Sequence, residues 1–306
     1  MSGRNKLGIF VITYNRAPKL RNTLEFLVHS SLKDYFITVL DNGSTDDSAL
    51  VAKTFESKLA NLRVVTNRVN VGPNANFLKA IELSDFEYTW VLCDDDLIDL
   101  SHFDNVHRVI ENEKLDLIHV GAHAQKEWRF GGQTKPVQTL VSEGYNFFKF
   151  ASFMPCNIFR TSVFHRQYLI KAYNNIGNGY PHMAYAFGHY ATDASLYISE
   201  RQVMTAVIGE QGYDLKSWLF WWMKTCELLE DKKAVRLAFL DQWKEENEPD
   251  DRKAAGKFFY DMYPIYKRQP SLRRFVKDYF TEEDKRFFRV LQMKIHLGIK
   301  INPQSF

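Results

Sequence analysis

The chain has 306 residues, enough for one large domain or two modest ones with a buried core, and too many for a short disulfide-stapled scaffold. Hydrophobic residues at 45% and charged residues at 25% exclude a mostly disordered or collagen-like chain. The formal charge of +3 is unevenly spread: from Arg252 to Phe306, 13 Lys and Arg stand against 5 Asp and Glu, a net of +8, which leaves −5 on the rest. In a chain that is 15% aromatic, this asymmetry points to a surface for an anionic partner.

Met1 to Lys6 is polar, and the apolar run Leu7 to Ile12 is shorter than a signal-peptide core, so no secretory signal is expected. That run opens the first strand, Leu7 to Thr13. There follow a helix over Pro18 to Ser31, with Leu20, Leu24, Leu27 and Val28 at helical spacing, a strand over Phe36 to Leu40 and a helix over Ser44 to Lys58. A strand over Arg63 to Thr66, a helix over Asn74 to Leu83 and a buried strand over Tyr88 to Cys93 complete a βαβ rhythm that predicts a parallel sheet. Right-handed crossovers place the loops after these strands along one edge, where open α/β folds bind ligands.

Beyond Asp99 the pattern predicts a helix over Phe103 to Asn112, a strand over Asp116 to Ala122 and a Gly-rich connection around Arg129 to Gln133. Helices over Gly144 to Phe153 and Pro181 to Ser199 follow, then a strand over Val203 to Ile208. After Asp214 only helices are predicted: Leu215 to Leu229, Lys232 to Glu246, Ala254 to Tyr263, Ser271 to Tyr279 and Glu282 to Ile295. The last opens with Thr281 and Asp284 in capping-box spacing. A soft boundary near Gly212 separates residues 1–212, with a first half to residue 100 and a second half from 101, from a helical, basic region 213–306. No window approaches the length of an apolar membrane span, the densest being Trp218 to Met223. Cys93, Cys156 and Cys226 form no CxxC pair, so neither disulfides nor zinc are expected and a cytoplasmic setting is.

Polar clusters end the four predicted strands: Thr13-Tyr14-Asn15-Arg16, Asp41-Asn42-Gly43-Ser44-Thr45-Asp46, Asn70-Val71-Gly72-Pro73-Asn74-Ala75-Asn76 and Asp94-Asp95-Asp96. Any one could be a turn or helix cap, but four on one sheet edge suggest a site. Three successive carboxylates concentrate charge that a cation or solvent must relieve, and oxygen ligands suit Mg2+ or Mn2+.

These clusters, in this order and spacing over about the first 100 residues, resemble the nucleotide-sugar-binding half of glycosyltransferase family 2. The resemblance implies an α/β GT-A fold, a Rossmann-like mostly parallel sheet flanked by helices. It also implies inverting transfer from a nucleoside-diphosphate sugar, with UDP the expected nucleotide, held by Mn2+ or Mg2+. Carried over by position, Thr13, Tyr14, Asn15 and Arg16 would border the nucleotide, and Asp41 and Asn42 would lie at the base or ribose. Gly72 and Asn76 would flank the base, Asp94 and Asp95 would contact the donor, and Asp95 or Asp96 would bind the metal. The setting it implies is bacterial surface-glycan synthesis, such as O-antigen or capsule, on a glycan or polyprenyl-diphosphate-linked acceptor.

Inverting transfer needs a base for the acceptor hydroxyl. The Glu-Asp pair that family members often carry there is missing from this sequence. His182, at the start of the helix beginning at Pro181, and Asp193, further along it, are the two candidates. Without that pair, a non-catalytic glycan-binding subunit is a rival reading. A sugar nucleotidyltransferase is disfavoured because Thr13 to Pro18 lacks a Gly-rich basic loop, and a dehydrogenase because no GxGxxG follows the first strand. The basic, aromatic tail reads either as a helical packing unit or as a face for an anionic inner leaflet, making the protein peripheral on the membrane. Homo-oligomerisation through these helices is a further reading, and no nucleic-acid module accompanies the charge.

Overall fold

The computed structural model describes residues 6–121, 129–205, 214–245 and 251–302. In chain order the elements are β1 (Leu7–Thr13), α1 (Ala17–His29), β2 (Phe36–Asp41), α2 (Ser48–Thr54), β3 (Leu62–Thr66), α3 (Pro73–Glu82), β4 (Tyr88–Cys93), β5 (Leu97–Ile98), α4 (Phe103–Asn112), β6 (Leu117–His119) and β7 (Thr134–Pro136). They continue with α5 (Val137–Ser142), α6 (Phe147–Ser152), β8 (Asn157–Arg160), α7 (Thr161–Val163), α8 (Leu169–Asn174), α9 (Met183–Ala191), β9 (Ser195–Ile198) and β10 (Met204–Thr205). The helices α10 (Leu215–Cys226), α11 (Lys232–Leu240), α12 (Asp251–Arg268), α13 (Pro270–Tyr279) and α14 (Glu282–His296) follow. The chain divides into two compact units, one made of Met1–Val137, Phe150–Gly177 and Pro181–Glu210, the other of Gln138–Lys149, Asn178–Tyr180 and Gln211–Phe306.

In the first unit an eight-stranded sheet has the order β3-β2-β1-β4-β8-β6-β9-β7. β1 to β4 pair in parallel, as their near-continuous apolar runs require of strands covered on both faces. β8 enters antiparallel between β4 and β6, and β9 runs parallel to β6. Ile9 and Val11 of β1 and Leu20, Leu24 and Leu27 of α1 are fully buried in one core with Tyr88, Trp90 and Val106. This core fixes the strand ends that carry the polar clusters.

Two expectations fail in the second half of the sheet. The helix expected over Pro181 to Ser199 stops at Ala191, and Asp193 adopts a left-handed φ of 52° before β9 begins. Leu196 and Ile198 are buried as a strand pairing with β6, and the apolar residues on both sides of the break conceal it from periodicity. β8, four residues long, was not anticipated at all. Of the strand expected over Val203 to Ile208, Met204–Thr205 is present as β10, while residues 206–208, Ala122 and Gly212 lie outside the described residues.

The second unit is built on rings. Phe239 packs on Phe258 and Phe275 at centroid distances of 5.1 and 4.7 Å, Phe258 on Phe280 at 5.4 Å, and Phe259 stacks on Phe288 at 4.4 Å. One ion pair is enclosed with them. Arg236 of α11 donates from Nε and Nη2 to the two oxygens of Asp284 at 2.7 and 2.8 Å, and from Nη1 to Asp251 at 3.2 Å. Asp284 also closes the expected capping box with Thr281. Burial works against the Asp284 carboxylate, yet Arg236 and Thr281 outweigh it and hold its pKa below the usual range. Among the described residues no helix is long and apolar enough to cross a membrane.

Removing one partner of a buried, bidentate pair leaves the other charge uncompensated. Asp284→Ala should therefore lower stability by about 3 kcal/mol, and Thr281→Ala, which removes only a cap, by about 1 kcal/mol. Urea denaturation of both variants checks the ranking, and equal losses would refute it.

Candidate functional site

The register of β1 with β4 sets Ile12 beside Cys93, so the next residues, Thr13 and Asp94, meet at the strand ends. Thr13 Oγ1 donates to Asp94 Oδ2 at 2.6 Å, and Arg16 Nη1 donates to Asp94 Oδ1 at 3.1 Å and Asp95 Oδ2 at 2.9 Å. Lys19 Nζ adds a bond to Asp95 Oδ2 at 2.8 Å, and Thr23 Oγ1 donates to the Asp94 carbonyl at 2.9 Å. Burial raises the Asp94 pKa, and its bonds to Thr13 and Arg16 only partly counter this. Burial alone would lower the Arg16 pKa, but Asp94 and Asp95 raise it. Asp96 accepts from the Cys93 thiol, whose pKa burial and the three carboxylates drive well up.

A second group of side chains builds the wall after β2 and β3. Asn42 Nδ2 donates to Asn70 Oδ1 at 2.8 Å, and Asn42 Oδ1 accepts from Asn67 Nδ2 at 3.0 Å and the Val71 N–H at 3.0 Å. Asn67 also donates to Asn76 Oδ1 at 2.8 Å, and Lys79 Nζ reaches Asn67 Oδ1 at 2.6 Å. Gly72 begins α3 with a φ of 85°, a left-handed backbone that glycine adopts without strain. Asn15 holds a φ of 51° because its Oδ1 accepts the Thr45 N–H at 2.8 Å.

Between these groups lies a cavity of about 300 Å3. Thr13, Tyr14 and Arg16 line it from β1, Asn42, Asn70, Pro73 and Asn76 from the asparagine wall, Cys93 and Asp94 from β4, and Met154 from the turn before β8. Asp95 and Asp96 line a neighbouring cavity of about 360 Å3, with Lys19, Asn22, Thr23 and Phe26 of α1. Asp94 borders both. The structure thus gathers Thr13, Tyr14, Arg16, Asn42, Asn76 and the carboxylate triplet on one edge. Asp41, expected at the base or ribose, is fully buried instead and turns its carboxylate to the N–H and hydroxyl of Ser44. The i, i+3 turn chemistry of Asp-Asn-Gly-Ser claims it.

The two base candidates fare differently. Leu196 of β9 is level with Leu117, Phe159 and Thr89 across the sheet, so Asp193 lies three residues below that level and Asp94 five above it. At about 3.3 Å per residue they stand roughly 25 Å apart along the strands, at opposite edges of the sheet. That spacing sets Asp193 apart from the carboxylate triplet along the sheet. His182 is on the correct side but buried, its ring against Phe77 at 5.3 Å. Its Nε2 bonds the carbonyls of Ala151 and Ser152 at 3.0 and 3.2 Å. Asn157 Nδ2 donates to the carbonyls of Ala151, Phe153 and Met154, and Trp90 Nε1 to that of Pro155. Three buried donors therefore hold the turn that presents Met154 to the cavity. In this structure the His182 ring is buried and bonded to the carbonyls of Ala151 and Ser152.

Sequence reasoning missed Lys19, Thr23, Asn67, Lys79 and Asn157. A helical spacing from Arg16 to Lys19 to Thr23 was available as a signal for the first two, and none marked the others.

Among the described residues no three His, Cys, Asp or Glu side chains are arranged to hold a metal ion. The partly exposed Asp95 and Asp96 do fit an arrangement in which one or two carboxylates share a divalent ion with substrate phosphates.

The sequence model described as glycosyl transferase family 2 matches residues 8–176. The uncharacterized glycosyltransferase YibD of Escherichia coli (strain K12) is 23% identical over 143 residues, 47% of this chain and 40% of that protein. The uncharacterized glycosyltransferase MJ1057 of Methanocaldococcus jannaschii is 26% identical over 115 residues, 37% of this chain and 40% of that protein. The chain thus spans about two fifths of the length of these relatives. Among solved structures, S. aureus TarS 1–349 in complex with UDP-GlcNAc superposes with a TM-score of 0.61 at 15% identity, over 97% of this chain and 93% of that one. The mannosyltransferase PcManGT from Pyrobaculum calidifontis, in complex with GDP-Man and Mn2+, gives 0.52 at 12% identity, over 89% and 85%. At such identities the likeness speaks for the fold.

Burial pushes the His182 imidazole down to about 4, its carbonyl bonds only partly opposing this, and pushes His119 down to about 3. An unfolded imidazole takes up its proton near 6.5, so the stability these neutral rings contribute is full above that pH and is lost as pH falls from 6.5 toward 4. Each costs about 1.4 kcal/mol per pH unit in that window. Urea midpoints should fall through it, and less steeply for His182→Gln; parallel curves for the two proteins would sink this reading of His182.

Proposed function

The chain belongs to glycosyltransferase family 2 and has a GT-A fold, and on that premise we propose that it moves a sugar, with inversion, from a nucleoside-diphosphate sugar to a hydroxyl of a glycan or lipid-linked acceptor. The observation that carries the reading is the Asp94 carboxylate, tied to Thr13 and Arg16 beside a cavity walled by asparagines. Amides supply both donors and acceptors, as a nucleobase edge requires, and Arg16 and Lys19 supply the positive charge that a diphosphate requires. The nucleotide-sugar complexes of TarS and PcManGT support the donor class, and UDP is the nucleotide we favour. Synthesis of a surface polysaccharide is the setting proposed for it.

Asp95 and Asp96 would hold a divalent ion, which neutralises charge on the departing diphosphate. Arg16 and Lys19, about half exposed and paired with Asp95, are free on their outer faces to turn toward the same phosphates. Thr13 and Thr23 keep Asp94 fixed while they do so. His182 acts here as a positioning residue for the turn carrying Met154.

Purified protein with Mn2+ and a panel of UDP, GDP, CDP and dTDP sugars should release the nucleoside diphosphate from one donor, faster with an acceptor; no release from any would end the proposal. Asp95→Ala/Asp96→Ala should abolish metal-dependent donor binding by calorimetry, and an unchanged affinity would remove the metal assignment. If His182 only positions, His182→Gln should keep turnover within a few-fold with an unaltered pH profile, whereas loss of a general base costs about 100-fold or more.

A further inference from the structure

Helix α14 buries Asp284, Phe288 and Leu291 against its own unit. At about 100° per residue, Val290, Met293 and Leu297 fall together on the opposite side. They are 43, 57 and 74% exposed, and Ile299, just beyond the helix, is 50% exposed. Single exposed aliphatics are ordinary, but an unbroken stripe facing away from the core is not. Its flanks are cationic. Arg286 lies in line with the stripe toward the N-terminus, Arg289 and Lys294 border it on either side, and Lys300 follows, all exposed. From Lys285 to Ile301 the sequence has no Asp or Glu.

We propose that this face of α14 docks on an anionic phospholipid bilayer, with Val290, Met293 and Leu297 at the acyl boundary and the basic side chains at the headgroups. An aliphatic stripe between cationic borders matches that interface on both counts, since long basic side chains can lie along apolar surface while their charges reach the phosphates. A second copy of the chain fits poorly, because a two-fold contact through this face would bring the basic borders of one helix against those of the other. Nucleic acid would leave the stripe in water. The inference rests on α14 alone and is independent of the transfer reaction.

Co-sedimentation with vesicles of phosphatidylcholine containing phosphatidylglycerol, against phosphatidylcholine alone, tests it with the full chain. Binding should require the anionic lipid and weaken with salt. Arg286→Ala/Arg289→Ala/Lys294→Ala should reduce it by about fivefold per charge, and Met293→Glu/Leu297→Glu should abolish it, with circular dichroism and donor turnover unchanged. Equal pelleting of wild type and both variants, or no pelleting of wild type, would overturn the proposal. So would a wild-type dimer in light scattering that Met293→Glu/Leu297→Glu dissociates while no vesicle binding is found.

Discussion

The site depends on one buried carboxylate. Asp94 sits where two adjacent parallel strands end, and the register that pairs Ile12 with Cys93 leaves Thr13 as its immediate neighbour. A carboxylate taken out of water at the rim of a sheet is costly unless its oxygens are satisfied. Thr13 satisfies one and Arg16 the other, both from the segment leaving β1. The same bonds therefore solvate a charge, fix the start of α1 against the end of β4, and shape the cavity wall. Slipping β1 by one residue would swap the side chains on its two covered faces and separate the pair.

This dependence explains what was legible in the sequence. The parallel half was readable because β1, β2 and β4 are apolar along nearly their whole length and end abruptly in polar clusters. The edge on which those clusters meet follows from the parallel pairing of the strands. Asp41 has an identity that fits two roles, a ligand contact and a turn acceptor, and only coordinates show Ser44 bonded to it. The second half was poorly readable for a different reason. β8 and β9 have four residues each, and their pairing with β4 and β6 is long-range, so no local period announces them. Reading through β9 as helix concealed that Asp193 lies beyond the end of α9 and just before β9.

For His182 it is the environment that the sequence does not announce. Position along the chain puts it near the cavity, but its neighbours are Phe77 and the carbonyls of Ala151 and Ser152. An imidazole is an amphipathic ring and a hydrogen-bond donor before it is a base. With Asn157 and Trp90 it satisfies backbone carbonyls in a turn that has few partners of its own. Releasing it toward a substrate would break both of these bonds and leave the Ala151 carbonyl to Asn157 alone.

The helical unit solves a related problem with different means. Its rings supply the burial, and its enclosed ion pairs are closely bonded, Arg236 directing donors to Asp284 and Asp251 and Lys244 reaching Asp251 as well. Asp284 is shared between its pair with Arg236 and the first turn of α14, so the charge that anchors the core also begins the helix. The tail's excess of +8 then has two fates. Arg236 stands outside the tail yet draws two acidic groups inward, one of them Asp284 from α14 itself. With Asp284 enclosed, the outward face of α14 from Arg286 onward is left with cations and aliphatic side chains only. Of the two readings of the aromatic tail, packing and surface, the packing one describes its buried rings, Phe258, Phe259, Phe275, Phe280 and Phe288.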